Sequence, residues 1–296
     1  MFYHINYQEP VFRPPSEARS LILQATIGCS QNQCRFCGMY KMKKFSVRSV
    51  AELAQDIAQI PLQQRQYIQR VFLADGDALI YPHGSLLELL DMLQQQLPRL
   101  TRVASYASPR SLTTKNVEQL RQLRDRKLRI LYFGLESGDD ETLRLANKGF
   151  EAQHMLELCH QAKNAGIKLS VTAILGLAGR QRSVEHALAT AGWINALSPE
   201  YFSLLTMFRR HNDDYFNHIE PLSHGEILEE TTLILENLSP QKTILRSNHV
   251  SNFLNLAGSY PKDREKLIDA AHRALAQARS DMPWFNQVPS YCEEFY

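Results

Sequence analysis

Short apolar runs alternate along this chain with longer segments in which apolar residues recur every three or four positions. The short runs are rich in β-branched and aromatic residues and predict strands, whereas the three-four spacing predicts amphipathic helices. Strands are predicted at Ser20–Ile27, Arg70–Ala74, Thr101–Tyr106, Arg129–Glu136, Lys168–Leu175 and Tyr201–Met207. Helices between them are predicted at Ser49–Ile60, Gly84–Gln96, Ser111–Arg124, Glu151–Ala165 and Val184–Leu197.

This alternation predicts repeated βαβ units and therefore a parallel sheet covered by helices. After Met207 the rhythm stops, and two further helices are predicted, near His224–Asn237 and Asp263–Ser280. The predicted fold is α/β, a partial six-stranded (β/α)6 barrel of the TIM type over residues 20–208. An N-terminal extension over residues 1–19 precedes it, and a helical C-terminal extension over residues 209–296 follows it.

Composition narrows the class of protein. With 296 residues, 44% of them apolar, the chain has the material for a large core. Its apolar runs are shorter than the roughly 20 residues that a membrane-spanning helix needs. The polar, proline-bearing N-terminus lacks a signal-peptide pattern, so we expect a soluble cytoplasmic protein. A net charge of +2 argues against a dedicated nucleic-acid binder.

One local group of basic residues stands out, formed by Lys41, Lys43, Lys44 and Arg48. Short runs of charge are usually solvated loops. The alternative is an electropositive mouth that attracts an anionic substrate or an electron donor.

Three of the five cysteines, Cys29, Cys34 and Cys37, lie within nine residues directly after the first predicted strand. Five cysteines in a chain without a secretion signal argue against a disulfide framework. Thiolates at this spacing bind metal ions or iron–sulfur clusters, because a short loop can fold three sulfurs around one centre.

The possible metal sites differ in whether they need a fourth ligand from the protein. A closed zinc site needs four ligands, and a plant-type [2Fe–2S] site needs a fourth cysteine. Cys159 falls on the apolar face of its predicted helix and is typical of a core residue, and Cys292 lies near the C-terminus. Three ligands leave one metal position open, as catalysis requires. A [2Fe–2S] electron-transfer protein and a zinc-bound interaction module stay as alternatives.

The cysteine loop after the first strand of a βα array resembles that of radical S-adenosylmethionine enzymes, over roughly Ser20 to Met207. In that family three cysteines hold a [4Fe–4S] cluster, and S-adenosylmethionine chelates the fourth iron. The usual spacing is three residues and then two. Here four residues separate Cys29 from Cys34, while the gap from Cys34 to Cys37 is the usual one. The resemblance implies that Phe36 lies by the adenine; a core aromatic is the alternative.

Three later stretches extend the resemblance. Asp75-Gly76-Asp77 resembles the Gly-Gly-Glu-like motif that binds the methionine amino group, which implies a role for Gly76 and Asp77, although Asp-Gly also favours plain turns. Gly134–Gly138, followed by Asn147-Lys148-Gly149, is similar to the elongator-type, methylthiotransferase and coproporphyrinogen-oxidase-like branches.

The second of these stretches implies that Glu136 and Ser137 serve the ribose and the methionine end of the co-substrate. A buried carboxylate paired with Arg or Lys is the alternative for Glu136. Thr172–Gly176 resembles the segment that contacts adenine, which implies a role for Ile174, although strand core explains that residue equally well.

The implied activity begins with one electron from a low-potential donor such as flavodoxin or ferredoxin. S-adenosylmethionine then fragments to methionine and a 5′-deoxyadenosyl radical, which abstracts hydrogen from an unidentified substrate. The polar segment Arg246–His249, with Ser251 and Asn252, either caps the substrate cavity or forms a turn-rich surface.

Overall fold

A computed structural model describes residues 5–291 of the chain. The strands of this part are β1 (Leu21–Gln24), β2 (Thr26–Ile27), β3 (Ser46–Val47), β4 (Arg70–Ala74), β5 (Arg102–Ala107), β6 (Leu128–Glu136), β7 (Lys168–Leu175), β8 (Tyr201–Thr206), β9 (Ile244–Ser247) and β10 (Leu256–Ser259). The helices are α1 (Val50–Ala58), α2 (Leu62–Arg65), α3 (His83–Gln96), α4 (Pro109–Thr113), α5 (Val117–Asp125), α6 (Asp140–Leu145), α7 (Ala152–Asn164), α8 (Ser183–Leu197), α9 (Asp213–Phe216), α10 (His224–Asn237), α11 (Arg264–Arg279) and α12 (Met282–Asn286).

The strands form a mostly parallel sheet of eight with the order β1-β4-β5-β6-β7-β8-β9-β10, and β2 pairs with β3 separately. The pairings β1–β4, β4–β5, β5–β6, β7–β8 and β8–β9 are parallel, and β10 runs antiparallel to β9. The predicted α/β class, with a parallel sheet of the partial TIM-barrel type, is confirmed.

The chain divides into two compact units. Unit 1 contains residues 1–32, 39–133 and 158–169, and unit 2 contains residues 33–38, 134–157 and 170–296. The predicted domain boundaries after residues 19 and 208 stay a prediction. Across residues 5–291 no helix is both long enough and apolar enough to span a bilayer.

The first predicted strand is divided in unit 1. β1 pairs with β4 and places Leu23 beside Leu73, whereas β2 pairs with β3. The predicted helix Ser111–Arg124 is also two helices, α4 and α5. The break occurs because Asn116 caps α5 in a capping box with Gln119, which starts a new helix there.

The C-terminal part of unit 2 is not purely helical, contrary to the prediction. β9 follows α10 and pairs in parallel with β8, with Phe202 opposite Leu245, so the βα rhythm continues for one more unit beyond Met207. β9 has the sequence Ile-Leu-Arg-Ser and β10 has Leu-Ala-Gly-Ser. Segments this short and this polar carry no strand periodicity, so pairing with β8 decides the conformation of β9, and pairing with β9 decides that of β10.

Candidate functional site

Asp75, directly after β4, holds the beginning of the cysteine loop in unit 1. Its carboxylate is fully buried. It accepts hydrogen bonds from Lys43 Nζ (2.8 Å), the backbone N–H of Gly28 (3.0 Å) and Gln24 Nε2 (3.2 Å). Gly28 immediately precedes Cys29 and has a φ of +73°, a conformation that favours glycine. The loop therefore leaves the sheet along a path fixed by a buried carboxylate.

The basic group Lys41, Lys43, Lys44 and Arg48 is not a uniform basic surface. Lys43 is buried and also donates to two backbone oxygens of the N-terminal segment, and Arg48 pairs with Asp56 at 2.6 Å. Lys41 and Lys44 are exposed. The solvated-loop interpretation is wrong for Lys43, which is buried. Lys43 and Arg48 each form an ion pair with a buried carboxylate of the protein, Asp75 and Asp56 respectively.

Gly76 brings the turn after β4 against the first cysteine. Its backbone N–H donates to Gly28 O at 3.1 Å. A Cβ at position 76 would lie 2.6 Å from Tyr40 Cε2 and 2.9 Å from Cys29 Cβ. Any side chain at this position would force that contact apart, so the approach requires glycine. Two residues predicted for the same site, Gly76 and Cys29, are therefore neighbours.

Asp77 is also fully buried, and its contacts are with the protein itself. It accepts from the backbone N–H of Ser108 (2.9 Å), from Ser108 Oγ (2.7 Å) and from Ser30 Oγ. Ser108 caps α4, and Ser30 follows Cys29 in the chain. Asp77 thus connects the cysteine loop to the start of a helix. Nearby, burial lowers the pKa of Lys115 to about 8, against the opposing charge of Asp77.

The second half of the cysteine loop, residues 33–38, belongs to unit 2 and is held by its backbone. The N–H of Arg35 donates to Ala146 O at 2.9 Å, and Asn147 Nδ2 donates to Gln33 O at 3.0 Å. Asn212 Nδ2 donates to Phe36 O at 2.6 Å. Three hydrogen bonds from distant parts of the sequence therefore fix the loop on either side of Cys34, which is buried, and before Cys37, which is half-buried.

Two more contacts hold this segment in place. A Cβ at Gly38 would lie 1.3 Å from the backbone oxygen of Arg210, so no side chain fits there. The Phe36 ring packs edge-on against Tyr215 with 6.4 Å between centroids. Asn212 is buried and lies 176 positions from Phe36, and no local sequence pattern could have identified it.

Glu136 and Lys148 bring two of the predicted stretches together. Glu136 Oε1 lies 3.0 Å from Lys148 Nζ, and the two side chains are 12% and 7% exposed. Glu136 has a φ of +67°, and a Cβ at Gly134 would lie 2.0 Å from Glu136 Oε1. Within the protein, Glu136 is therefore a carboxylate paired with a lysine, as the alternative interpretation of this residue predicts. Its side chain keeps a small exposed fraction, through which a ligand can approach the carboxylate.

The Ser137 hydroxyl is fully buried, unlike the carboxylate that precedes it. Ser137 Oγ lies 2.8 Å from His186 Nδ1 and accepts from the backbone N–H of Asp139 at 3.0 Å. Ile174, the predicted adenine contact, is half-buried near the end of β7. Two residues later Gly176 donates its N–H to Glu230 Oε1 at 2.7 Å. His186 and Glu230 were not identified from the sequence.

The polar C-terminal segment braces the end of β8. Asn252 Oδ1 accepts from the backbone N–H of Thr206 at 2.8 Å, and Asn252 Nδ2 donates to Leu204 O at 2.7 Å. Ser247 and Ser251 are buried, so the surface interpretation is wrong for them. Burial lowers the pKa of His249 in the same segment.

The cysteine loop offers the sulfur ligands that an iron–sulfur cluster uses. Within residues 5–291, no three His, Cys, Asp or Glu side chains are grouped as ligands of a metal ion. The chain supplies instead three thiolates in one short loop whose backbone is fixed by other residues, and thiolates are the ligands of such clusters. Cys159 is fully buried, and burial raises the pKa of its thiol, so its predicted place in the core is confirmed. Cys292 lies outside the described residues.

Comparisons with known proteins agree with the predicted family. A family model described as the radical SAM superfamily matches residues 23–191. No curated protein matches the chain.

Solved structures share the fold. Coproporphyrinogen III oxidase HemN from Escherichia coli, a radical SAM enzyme, is 19% identical with a TM-score of 0.55 over 73% of this chain and 52% of that one. The radical S-adenosylmethionine methyltransferase TsrM from Kitasatospora setae is 18% identical with a TM-score of 0.51, over 63% of this chain and 36% of that one. Elp3 from Methanocaldococcus infernus is 12% identical with a TM-score of 0.52, over 87% of this chain and 63% of that one. The chain therefore spans less than two thirds of each.

Proposed function

Because the chain belongs to the radical SAM superfamily, whose enzymes bind a [4Fe–4S] cluster and S-adenosylmethionine, we propose that it cleaves S-adenosylmethionine reductively and abstracts hydrogen from a substrate. Membership confirms the predicted family, the assignment as an enzyme and the two cofactors. The neighbours' own substrates and net reactions are not carried over, because their identities of 12–19% support the fold alone.

The cysteine loop is the observation that carries the proposal. Cys29, Cys34 and Cys37 lie inside the matched segment, and they hold three irons of the cluster. Hydrogen bonds to the loop backbone and to its neighbours support a path with one extra residue between Cys29 and Cys34. Asn147, Asn212 and Asp75 provide that support.

The co-substrate residues divide into contacts and supports. The resemblance assigns the methionine end to Gly76, whose backbone borders Cys29, and the ribose to the partly exposed Glu136, with Phe36 and Ile174 at the adenine. Asp77 and Ser137 support the co-substrate site without touching the co-substrate, because both are fully buried and already hydrogen-bonded within the protein. Asp77 holds the turn that contains Gly76, and Ser137 holds the residue that precedes it.

A [4Fe–4S] cluster held by Cys29, Cys34 and Cys37 would supply one electron for the reductive cleavage of S-adenosylmethionine, and the 5′-deoxyadenosyl group would take hydrogen from the substrate. The residues of the chain bind, orient and exclude water. Glu136 accepts hydrogen bonds from ribose hydroxyls while Lys148 Nζ balances its charge. We propose that a low-potential donor such as flavodoxin or ferredoxin supplies the electron. We also propose that the enzyme is oxygen-sensitive and that it is located in the cytoplasm.

The two alternatives are less well supported. A [2Fe–2S] electron-transfer protein would need Cys159 as a fourth ligand, or Cys292, and Cys159 is sealed in the core with its thiol pKa raised. A zinc-bound interaction module does not account for membership of a family of enzymes.

The experiment that tests the proposal is anaerobic reconstitution followed by metal analysis and reduction with S-adenosylmethionine. We expect about four irons and four sulfides per chain, and slow release of 5′-deoxyadenosine and methionine without substrate. Cys29→Ala, Cys34→Ala and Cys37→Ala should each abolish both results.

Cys159→Ala is the matched control, because it removes a thiol that lies away from the cysteine loop in the sequence and should leave iron content unchanged. Stoichiometric zinc without iron would contradict the proposal. An intact cluster that shows no spectral change with S-adenosylmethionine, and no product after prolonged reduction, would contradict it as well.

A further inference from the structure

Three buried polar side chains of unit 2, Ser137, His186 and Glu230, are arranged in a row, and the proposed function assigns a role to Ser137 alone. Ser137 follows the end of β6, His186 lies on α8, and Glu230 lies on α10. Ser137 Oγ is 2.8 Å from His186 Nδ1, and His186 Nε2 is 3.8 Å from Glu230 Oε1. The Ser137 and His186 side chains are 0% exposed, and Glu230 is 2% exposed.

One assignment of donors and acceptors uses the Ser137 hydroxyl both as an acceptor and as a donor. Ser137 Oγ already accepts from the backbone N–H of Asp139, so its hydroxyl hydrogen is the group available for His186 Nδ1. Nδ1 is then an acceptor, and the ring proton is on Nε2, as in one tautomer of the neutral imidazole. Nε2 faces Glu230 Oε1 and has no hydrogen-bond partner among the described residues.

Glu230, at the far end of the row, hydrogen-bonds to the turn that follows β7. Glu230 Oε1 accepts from the backbone N–H of Gly176 at 2.7 Å, and Glu230 Oε2 accepts from Ser183 Oγ. Gly176 directly follows β7 with a φ of +78° and comes two residues after Ile174. The row therefore runs from the residue beside Glu136 to the turn beside Ile174, the two strand ends of this unit that the proposed function assigns to the co-substrate.

The composition of the row resembles a Ser-His-acid hydrolase site, but burial excludes that role. A nucleophile must reach its substrate, and Ser137 has no exposed surface. A buried polar atom that lacks a partner costs stability, so a row with an unpaired Nε2 is not explained by stability alone.

We propose that His186 is a positioning residue for the co-substrate site: its hydrogen bond orients Ser137, so that the adjacent Glu136 keeps one fixed arrangement. This inference rests on the proposed function, since it assigns the row to the S-adenosylmethionine site. Preorganised side chains bind more tightly because less ordering is required when the ligand arrives.

The test uses three variants of the full-length, anaerobically reconstituted protein, with S-adenosylmethionine as the probe and calorimetry as the measurement. His186→Leu removes both ring nitrogens and should weaken binding roughly tenfold, the effect of about 1.4 kcal/mol. His186→Asn places an amide oxygen near the position of Nδ1, where it accepts from Ser137, and should bind nearly as well as the wild type. His186→Gln reaches towards Glu230 instead and should stay weak.

His154→Leu is the matched control, because His154 is exposed on α7 in the same unit, and it should change neither affinity nor iron content. Wild-type affinity in a folded His186→Leu protein would overturn the inference. Equal weakness of the Asn and Gln variants would also overturn it, because loss of packing would then explain the effect.

A measurement on the unmutated protein covers the case in which the variants do not fold. Nitrogen-15 shifts of the His186 ring, assigned by difference from the most stable variant or by selective labelling, should report an unprotonated Nδ1 and a protonated Nε2. A proton on Nδ1 would contradict the assigned row. If the wild type binds no S-adenosylmethionine while the tautomer is as stated, the failure lies in the proposed function and the positioning role falls with it.

Discussion

Two carboxylate–lysine pairs follow strands of this protein, and they differ in what surrounds the carboxylate. In unit 1, Asp75 after β4 pairs with Lys43 at 2.8 Å, and both side chains are essentially inaccessible, at 0% and 1% exposed. In unit 2, Glu136 at the end of β6 pairs with Lys148 at 3.0 Å, and both keep some exposed surface. Sequence alone would rank the two pairs alike.

The difference lies in the number of fixed donors. Asp75 also accepts from Gln24 Nε2 and from the N–H of Gly28, so its oxygens are committed to the scaffold. Glu136 has Lys148 as its hydrogen-bond donor among the described residues, and its carboxylate lies over Gly134. A buried carboxylate with several fixed donors stabilises the fold, whereas one with spare acceptor capacity near the surface is suited to a ligand.

The largest effect is expected from breaking the unit 1 pair. Lys43→Met leaves the Asp75 charge buried without its cation and should lower the free energy of unfolding by about 3–5 kcal/mol. Urea denaturation measures this loss. Lys44→Met, one position along on an exposed side chain, should change stability by no more than about 0.5 kcal/mol. A loss below about 1 kcal/mol for Lys43→Met would remove the distinction between the two pairs.

A smaller effect, on binding rather than on stability, is expected at the unit 2 pair. Glu136→Gln keeps the shape and removes the charge, so S-adenosylmethionine should bind more weakly by about 1.5–3 kcal/mol, the worth of a hydrogen bond to a charged group. Calorimetry on the reconstituted protein measures the affinity. Glu141→Gln, on an exposed position of α6, is the control. Unchanged affinity with intact cluster and fold would remove Glu136 from the site.

The smallest effect is expected at a third carboxylate, Asp139, where the charge partner Arg182 lies near the surface. Burial alone would raise the pKa of Asp139, but hydrogen bonds from Arg182 and Thr142 outweigh it and lower this pKa to about 2. A carboxyl group whose pKa is lower in the folded than in the unfolded protein stabilises the fold at pH values above its unfolded-state pKa, which is about 4. That stabilisation is lost as the pH falls from about 4 to about 2.

Asp139→Asn tests this point, because Asn keeps the helix cap of α6 and removes the charge. At neutral pH the variant should lose no more than about 1 kcal/mol. Its stability should also vary less than that of the wild type between pH about 4 and about 2, as thermal unfolding across this range would record. Parallel pH profiles would show that the Arg182 contact contributes nothing to acid stability.

Much of the fold was predictable because its signals are local. The helix predicted over Ser49–Ile60 is α1, which begins with a capping box of Ser49 and Glu52. The helix predicted to end at Ala165 is α7, and Gly166, with a φ of +82°, follows it before β7. β9 was missed, because four residues that include an arginine carry no period and become a strand by pairing with β8.

The candidate site divides in the same way. The cysteine trio, Gly76 and Glu136 were predicted from the sequence because each belongs to a short motif that chemistry constrains. Asn212, His186 and Glu230, which hydrogen-bond to Phe36, Ser137 and Gly176, come from later helices and loops. A single polar residue in a helix or loop has the same local pattern whether it faces water or a buried partner.

The sequence by itself determined the family, the cofactors and the strand-helix order of residues 20–208, because thiolate spacing and hydrophobic period are properties of neighbouring residues. Tertiary structure alone decided that Asp75 belongs to the scaffold, that Asp77 and Ser137 are sealed from solvent, and that Lys43 is not part of a basic surface. The physical reason is that burial and hydrogen-bond saturation depend on groups brought together from far along the chain. The free energy of a charged or polar side chain is set by those groups and not by its neighbours in sequence.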